Sequence, residues 1–183
     1  MKVAVYFAEG YEELEALSVV DVLRRANIEV IMTGINGESV TSARRISVKM
    51  DTTIEVLEHE DIDMIVLPGG VPGIENLEAS SLVLENIKRF KEQGKWLAAI
   101  CAAPSILGKQ GLLVDEKATC YPGYEKYLEQ CEYRDETTVV SHKIITSKGA
   151  GTSLAFAFKI LECIQGKEAA DKIKNSMQFK ETK

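Results

Sequence analysis

Apolar positions along the chain switch between two periods. Val3 to Ala8 is a short unbroken apolar run rich in β-formers, and it reads as a buried strand of the parallel type. From Glu12 to Ala26 the spacing changes: Leu14, Leu17, Val20 and Leu23 recur at three-residue steps, which predicts a helix. Glu12, Glu13 and Glu15 occupy its first turn, where the macrodipole favours acids, and Asn27 ends it. Ile28 to Thr33 is a second strand. Strand, helix and strand within about 30 residues make a βαβ unit, which implies a parallel pair joined by a right-handed crossover.

The alternation continues. Asn36-Gly37 signals a turn, and Ser39 to Met50 reads as a small hairpin. Ile62 to Leu67 is a strand that stops at Pro68-Gly69-Gly70. Ser81 to Gln93 is a helix with Leu82, Leu84, Ile87 and Phe90 apolar and Gly94 at its end. Trp96 to Ile100 is a further core strand that runs straight into Cys101-Ala102-Ala103-Pro104, and a helical pattern resumes at Ser105. Short strands are expected between Ala118 and Ser147, with turns at Pro122-Gly123 and Ser141-His142-Lys143. Helices over Gly149 to Gln165 and Lys167 to Met177 close the chain. No repeat, low-complexity segment or linker divides it, so residues 1–183 are expected to form a single domain. The class is α/β, a mostly parallel sheet with helices on both faces.

Composition narrows the function classes. The net charge is −6, the sequence pI is about 5.1, and no basic run is present, which argues against a nucleic-acid partner. The apolar run after Met1-Lys2 ends at Glu9, too short for a signal peptide, and Trp96 to Leu107 is too short to span a bilayer. Four cysteines without a secretory signal read as reduced cytoplasmic thiols. None is paired in the C-x-x-C spacing of a metal or thioredoxin site. With neither a Walker loop nor G-x-G-x-x-G, no metal and no cofactor are expected.

Open parallel sheets bind ligands beyond the carboxyl ends of their strands, and three segments leave core strands there with unusual residues. Cys101 closes a buried strand just where a helix starts, a strand-to-helix elbow that would expose its thiol at the sheet edge. Free N–H groups of that helix would lower the thiol pKa. The plainer reading is one more buried core thiol. Gly69 and Gly70 are either a simple turn or a backbone that approaches a ligand oxygen closely. Glu15 is either a solvated dipole partner, as Glu12 and Glu13 are expected to be, or a half-buried carboxyl with a raised pKa, because Ala16, Leu17, Val19 and Val20 follow it.

Four stretches together make the chain familiar: Glu9-Gly10-Tyr11-Glu12-Glu13-Leu14-Glu15, Leu67-Pro68-Gly69-Gly70, Ala99-Ile100-Cys101-Ala102-Ala103-Pro104, and Ser147 to Ser153. In this order they resemble the ThiJ/PfpI superfamily, most closely its DJ-one branch, over essentially the whole length. The resemblance implies a flavodoxin-like sandwich that is usually a homodimer. It also implies that Cys101 is a reactive thiolate hydrogen-bonded by Glu15, with backbone donors from Gly69, Gly70 and Ala102. Arg44 matches an arginine that reaches the site across the dimer. One departure stands out. Members acting on glyoxals usually carry His-Pro where this chain has Tyr121-Pro122, so Tyr121 becomes a pocket residue in place of a catalytic histidine. The two histidines, His59 in an acidic stretch and His142 in a turn, are expected to be solvent-exposed. The peptidase branch carries His directly after the cysteine, and here that residue is Ala102, which argues against peptidase activity.

Two function classes follow. In one, the chain is a glyoxalase or deglycase acting on a small carbonyl substrate through Cys101 and Glu15. In the other it is a stress-response protein, a redox sensor or chaperone, whose partner is an oxidant of Cys101. The early helix is apolar on more than one side, a surplus that points to a homodimer burying it.

Overall fold

The computed structural model describes residues 1–180; the last three residues of the expected 1–183 domain lie outside the described residues. Strand β1 spans Lys2–Phe7, helix α1 Glu13–Arg25 and strand β2 Glu29–Gly34. β1 and β2 pair in parallel, Val3 against Val30 and Phe7 against Gly34, as the βαβ pattern requires. Asn27 has a positive φ of 56°, and the Ile28 N–H returns to the Leu23 carbonyl, which ends α1 where the pattern places its stop.

The expected hairpin is β3 (Ser39–Thr41) against β4 (Ser47–Lys49), followed by a short parallel β5 (Thr52–Thr53). β6 (Met64–Leu67) is followed by α2 (Gly73–Ala79) and α3 (Ser81–Glu92), then β7 (Trp96–Ile100) and α4 (Pro104–Lys109). The sequence pattern does not reveal α2. α4 starts at Pro104, one residue before the expected Ser105, because proline suits a first helical position. In the segment from 118 to 147, β8 (Lys117–Ala118) and β9 (Glu132–Tyr133) form a small separate pair. β10 (Thr138–Ser141) and β11 (Ile144–Ser147) make a hairpin that turns at His142. α5 (Ser153–Gln165) and α6 (Lys167–Ser176) close the chain; α5 begins past the expected Gly149 because a 3-10 turn occupies Ala150–Thr152.

The main sheet has seven strands in the order β10-β11-β7-β6-β1-β2-β5, parallel except for the edge strand β10. This is the expected flavodoxin-like architecture. Successive side chains of β1 feed opposite cores: Val3, Val5 and Phe7 face α1 and α5, whereas Ala4 and Tyr6 face the layer of α2, α3 and α4. The chain moves from β1 to β2 on one side and returns to β6 on the other. The topological switch therefore lies between the carboxyl ends of β1 and β6. The surplus apolar side of α1 has an answer inside the chain, because α5 packs along it; Leu14 alone of its leucines stays largely exposed, at 58%. No helix among the described residues is long and apolar enough to cross a membrane.

Candidate active site

Cys101 follows β7 directly, and its backbone is left-handed, with φ 65°. That conformation is strained for a residue with a Cβ and persists only where its surroundings impose it. Two backbone bonds do so here. The Cys101 N–H donates to the Ser147 carbonyl at 3.0 Å, and the Cys101 carbonyl accepts the Tyr121 N–H at 2.7 Å. The result is the expected elbow, with a partly buried thiol at the carboxyl edge of the sheet.

Glu15 enters from α1 and is 1% exposed, fully buried rather than half buried. The Gly69 N–H donates to its Oε2 at 2.8 Å. Its Oε1 is buried with no hydrogen-bond partner, and the Cys101 side chain lies against the same carboxyl. Burial pushes Glu15 up to about 7, against the opposing pull of the Gly69 N–H and the thiol. A buried acceptor without a donor is stabilised by carrying the proton itself.

The glycine pair has two separate jobs. A Cβ on Gly69 would come within 2.7 Å of both Cys101 Cβ and Glu15 Oε2, so the convergence of thiol and carboxyl needs a bare backbone there. Gly70 has φ 97°, and a Cβ on it would meet the Glu12 nitrogen and Gly10 oxygen at 2.5 Å. The resemblance implies backbone donors at Gly69, Gly70 and Ala102. The Gly69 N–H holds Glu15, and the sulfur receives the N–H groups of Ala102 and Gly70.

The thiol itself is not simply acidified by the elbow. Burial pushes Cys101 up, and so does the charge of an ionised Glu15, while the Ala102 and Gly70 N–H groups act the other way. α4 is a short helix whose first residue, Pro104, lies three positions past the sulfur, which limits the dipole contribution. Cys101 and Glu15 thus form a coupled pair whose protons belong to both.

Tyr121 is brought to the thiol. A Cβ placed on Gly149 would lie 3.2 Å from Tyr121 Cδ2 and 3.8 Å from Cys101 Sγ, so ring and sulfur flank the same glycine. Within the single chain Arg44 is exposed on the β3–β4 turn, and its side chain makes no hydrogen bond or ion pair among the described residues; the expected reach is across a dimer, from one chain to the other. That hairpin is nevertheless tied to the site loop, with Gly10 donating to the Thr41 carbonyl and Ala43 to the Tyr11 carbonyl, each at 2.8 Å. His59 corrects the expectation of exposure. It is half buried, its Nε2 within 2.9 Å of the Tyr6 hydroxyl and 2.8 Å of Asn86 Nδ2. His142 is exposed as expected and pairs through Nδ1 with Glu116 at 2.8 Å. Gly149 is the residue that the sequence reading missed as a site element, although it stood inside the quoted Ser147-Lys148-Gly149 stretch. No cluster of three or more metal-ligating side chains occurs among the described residues.

A strained cysteine and a buried glutamate meeting beside the switch point of a doubly wound sheet define a thiol-centred α/β protein. Comparison with known sequences agrees: the chain belongs to the DJ-1/PfpI family, matched over residues 1–163. It is 39% identical to the Drosophila melanogaster protein dj-1beta over 172 residues, covering 92% of each chain. It is 34% identical to the Caenorhabditis elegans glutathione-independent glyoxalase DJR-1.2 over 167 residues, covering 90% of this chain and 89% of that one. The solved structure of oxidized Toxoplasma gondii DJ-1 superimposes with a TM-score of 0.94 at 38% identity, over 98% of this chain and 99% of that one.

Proposed function

We propose that this protein is a cysteine-dependent glyoxalase or deglycase acting on α-oxoaldehydes or their early adducts. The observation that carries the reading is the buried Glu15 carboxyl set against Cys101, with its Oε1 unpartnered and its titration moved to about 7. Burial pushes both groups up, and two backbone N–H groups address the sulfur while one addresses the carboxyl, so Glu15 stands where it can take the thiol proton as the sulfur adds to a substrate.

The chemistry balances without a cofactor. Cys101 Sγ adds to the aldehyde carbon, and the carbonyl electrons move to oxygen, which takes the proton from Glu15. The hemithioacetal then loses the hydrogen on its former aldehyde carbon to the Glu15 carboxylate, giving an enediol. Reprotonation at the adjacent carbon gives a thioester, so one carbon is oxidised as its neighbour is reduced. Water cleaves the thioester to a 2-hydroxy acid and restores the thiol. The Gly70 and Ala102 N–H groups steady the charge that moves between sulfur and oxygen.

One observation favours a second reading, a redox sensor or chaperone that works through oxidation of Cys101. No histidine serves the thiol: His59 is held by Tyr6 and Asn86, and His142 by Glu116. Oxidation to sulfenic and sulfinic acid needs only the activated sulfur and a hydrogen-bond partner such as Glu15. The wider reading is of one domain over 1–183, cytoplasmic, working as a homodimer.

The deciding assay is lactate formation from methylglyoxal by the wild type and Cys101→Ser. Turnover that vanishes in the serine variant supports the enzyme. No lactate from the wild type, with sulfinic acid forming cleanly at Cys101 under peroxide, would leave the redox reading.

A further inference from the structure

The geometry points to Tyr121 as the specificity-determining wall of the Cys101 site, selecting α-oxoaldehydes with an aromatic or bulky apolar substituent over methylglyoxal. This rests on the glyoxalase reading for its substrate but not for its geometry. Tyr121 is fixed at its backbone by the bond from its N–H to the Cys101 carbonyl. Its ring packs toward Gly149, and the nearest ring carbons lie 3.2 and 3.7 Å from the position a Gly149 Cβ would take, with Cys101 Sγ at 3.8 Å from that same position. Gly149 is in extended backbone, φ 163°, which any residue can adopt. Its small size is therefore a matter of space: it is the seat on which the ring lies beside the sulfur.

The rest of the ring is open. Tyr121 is 50% exposed, so part of its ring is free to take a contact. Val71 directly follows Gly70 and is 57% exposed, an aliphatic surface one residue from an N–H that addresses the sulfur. When Cys101 adds to an aldehyde carbon, the keto carbon and its substituent remain one bond away. A flat apolar substituent there can stack on the exposed ring, whereas a methyl group leaves most of it wet. Aromatic contacts of this kind correspond to a preference of about tenfold.

Two readouts separate this wall from the catalytic reading. The first is alkylation of Cys101 by phenacyl bromide against bromoacetone, followed by intact mass, with Cys101→Ser as blank and the same rate ratio for glutathione as reference. The wild-type ratio should exceed the reference about tenfold, persist in Tyr121→Phe, fall to the reference in Tyr121→Ala, and fall partly in Gly149→Ala as the new methyl displaces the ring. The second readout is kcat/KM for phenylglyoxal against methylglyoxal in the same variants, which should follow the same order. A wild-type alkylation ratio equal to the reference, or one unchanged in Tyr121→Ala, overturns the wall, even if both glyoxals are turned over. A raised ratio that depends on the ring, with neither glyoxal turned over, upholds the wall and removes the glyoxalase reading instead.

Discussion

The Gly69 N–H donates to Glu15 Oε2 at 2.8 Å, and this bond turns the buried carboxyl toward Cys101. Because Gly69 is the residue that lets thiol and carboxyl converge, one position supplies both the room and the tether. Burial there pushes the carboxyl up to about 7, against the downward pull of this same Gly69 bond.

A folded-state pKa raised above the unfolded value makes the protonated form the stabilising one. Native stability should therefore be full below about pH 4, decline as pH rises toward 7, and level off above it. Glu15→Gln keeps an acceptor for Gly69 and cannot ionise. Its stability relative to wild type should rise across that window by up to ~3 kcal/mol, about two and a half units at 1.36 kcal/mol each. Urea denaturation at pH 5 and pH 8 measures this, and equal differences at both would place the titration elsewhere.

Labelling tests the pair from the sulfur side. Cys101, partly open at the elbow with two N–H groups toward its sulfur, should react with iodoacetamide faster than Cys120, which is fully buried. Cys131 and Cys163, neither of which sits on a strand-to-helix elbow, should trail as well. In Glu15→Gln the ionised carboxyl that pushes the thiol up is gone, so at pH 8 the Cys101 rate should rise about tenfold, one pKa unit. Site-resolved mass spectrometry gives all four rates at once; equal rates would reduce Cys101 to an ordinary core thiol.

Much of this was legible in the chain, for physical reasons. Parallel strands buried on both faces leave unbroken apolar runs, and β1, β6 and β7 are such runs. The loops that follow them are where such sheets bind, so Cys101, Glu15 and the glycine pair could be weighed before any contact was known. α2 was hidden because Pro68-Gly69-Gly70-Val71-Pro72-Gly73 carries every mark of a loop, and the helix is held instead by Ile74 and Leu77 in the core. β8 and β9 are two residues each and depend on distant partners, such as Arg134 donating to the Ala118 carbonyl and Thr119 to Thr146 Oγ1. The division of labour between Gly69 and Gly70 depends on which way each N–H points. Residue type does not encode that.

Assembly has a local test. Leu14 is 58% exposed one residue before Glu15, and it lines a surface groove of about 1050 Å³ with Ser18 and Leu154. A homodimer that uses this face should be lost in Leu14→Arg, which puts a charge on it twice per interface. Light scattering should give a dimer mass for the wild type and a monomer mass for the variant, with unchanged circular dichroism. A wild-type monomer at every concentration would remove the dimer.

Away from the site, Glu116 is 5% exposed and gathers three partners: Lys91 at 2.5 Å, Ser141 at 2.6 Å and His142 at 2.8 Å. Burial alone would push its carboxyl up, but these donors outweigh it and hold it at about 2. A depressed folded pKa gives stability that is present above about pH 4 and lost as pH falls toward 2. Lys91→Met leaves the buried carboxylate without its cation and should cost about 3 kcal/mol at pH 7. Acid titration of the melting temperature should show a shallower loss in Glu116→Gln than in the wild type.

The last expectation concerns the missing histidine. An imidazole is a base near neutral pH and a phenol is not, so wild-type turnover of methylglyoxal should be slow, with Glu15 as the proton carrier. Tyr121 is fixed by its N–H to the Cys101 carbonyl, and its ring lies beside the sulfur over Gly149. A histidine at 121 would inherit that backbone and place a shorter ring on the same side. General-base help is worth roughly 100-fold or more where geometry permits, and Tyr121→His should recover at least ~10-fold of it in kcat, with a new inflection near pH 6.5. The rise should disappear in Tyr121→His combined with Cys101→Ser. A variant no faster than wild type, with a wild type already brisk, would mean that Glu15 handles both proton transfers and that the histidine was never needed.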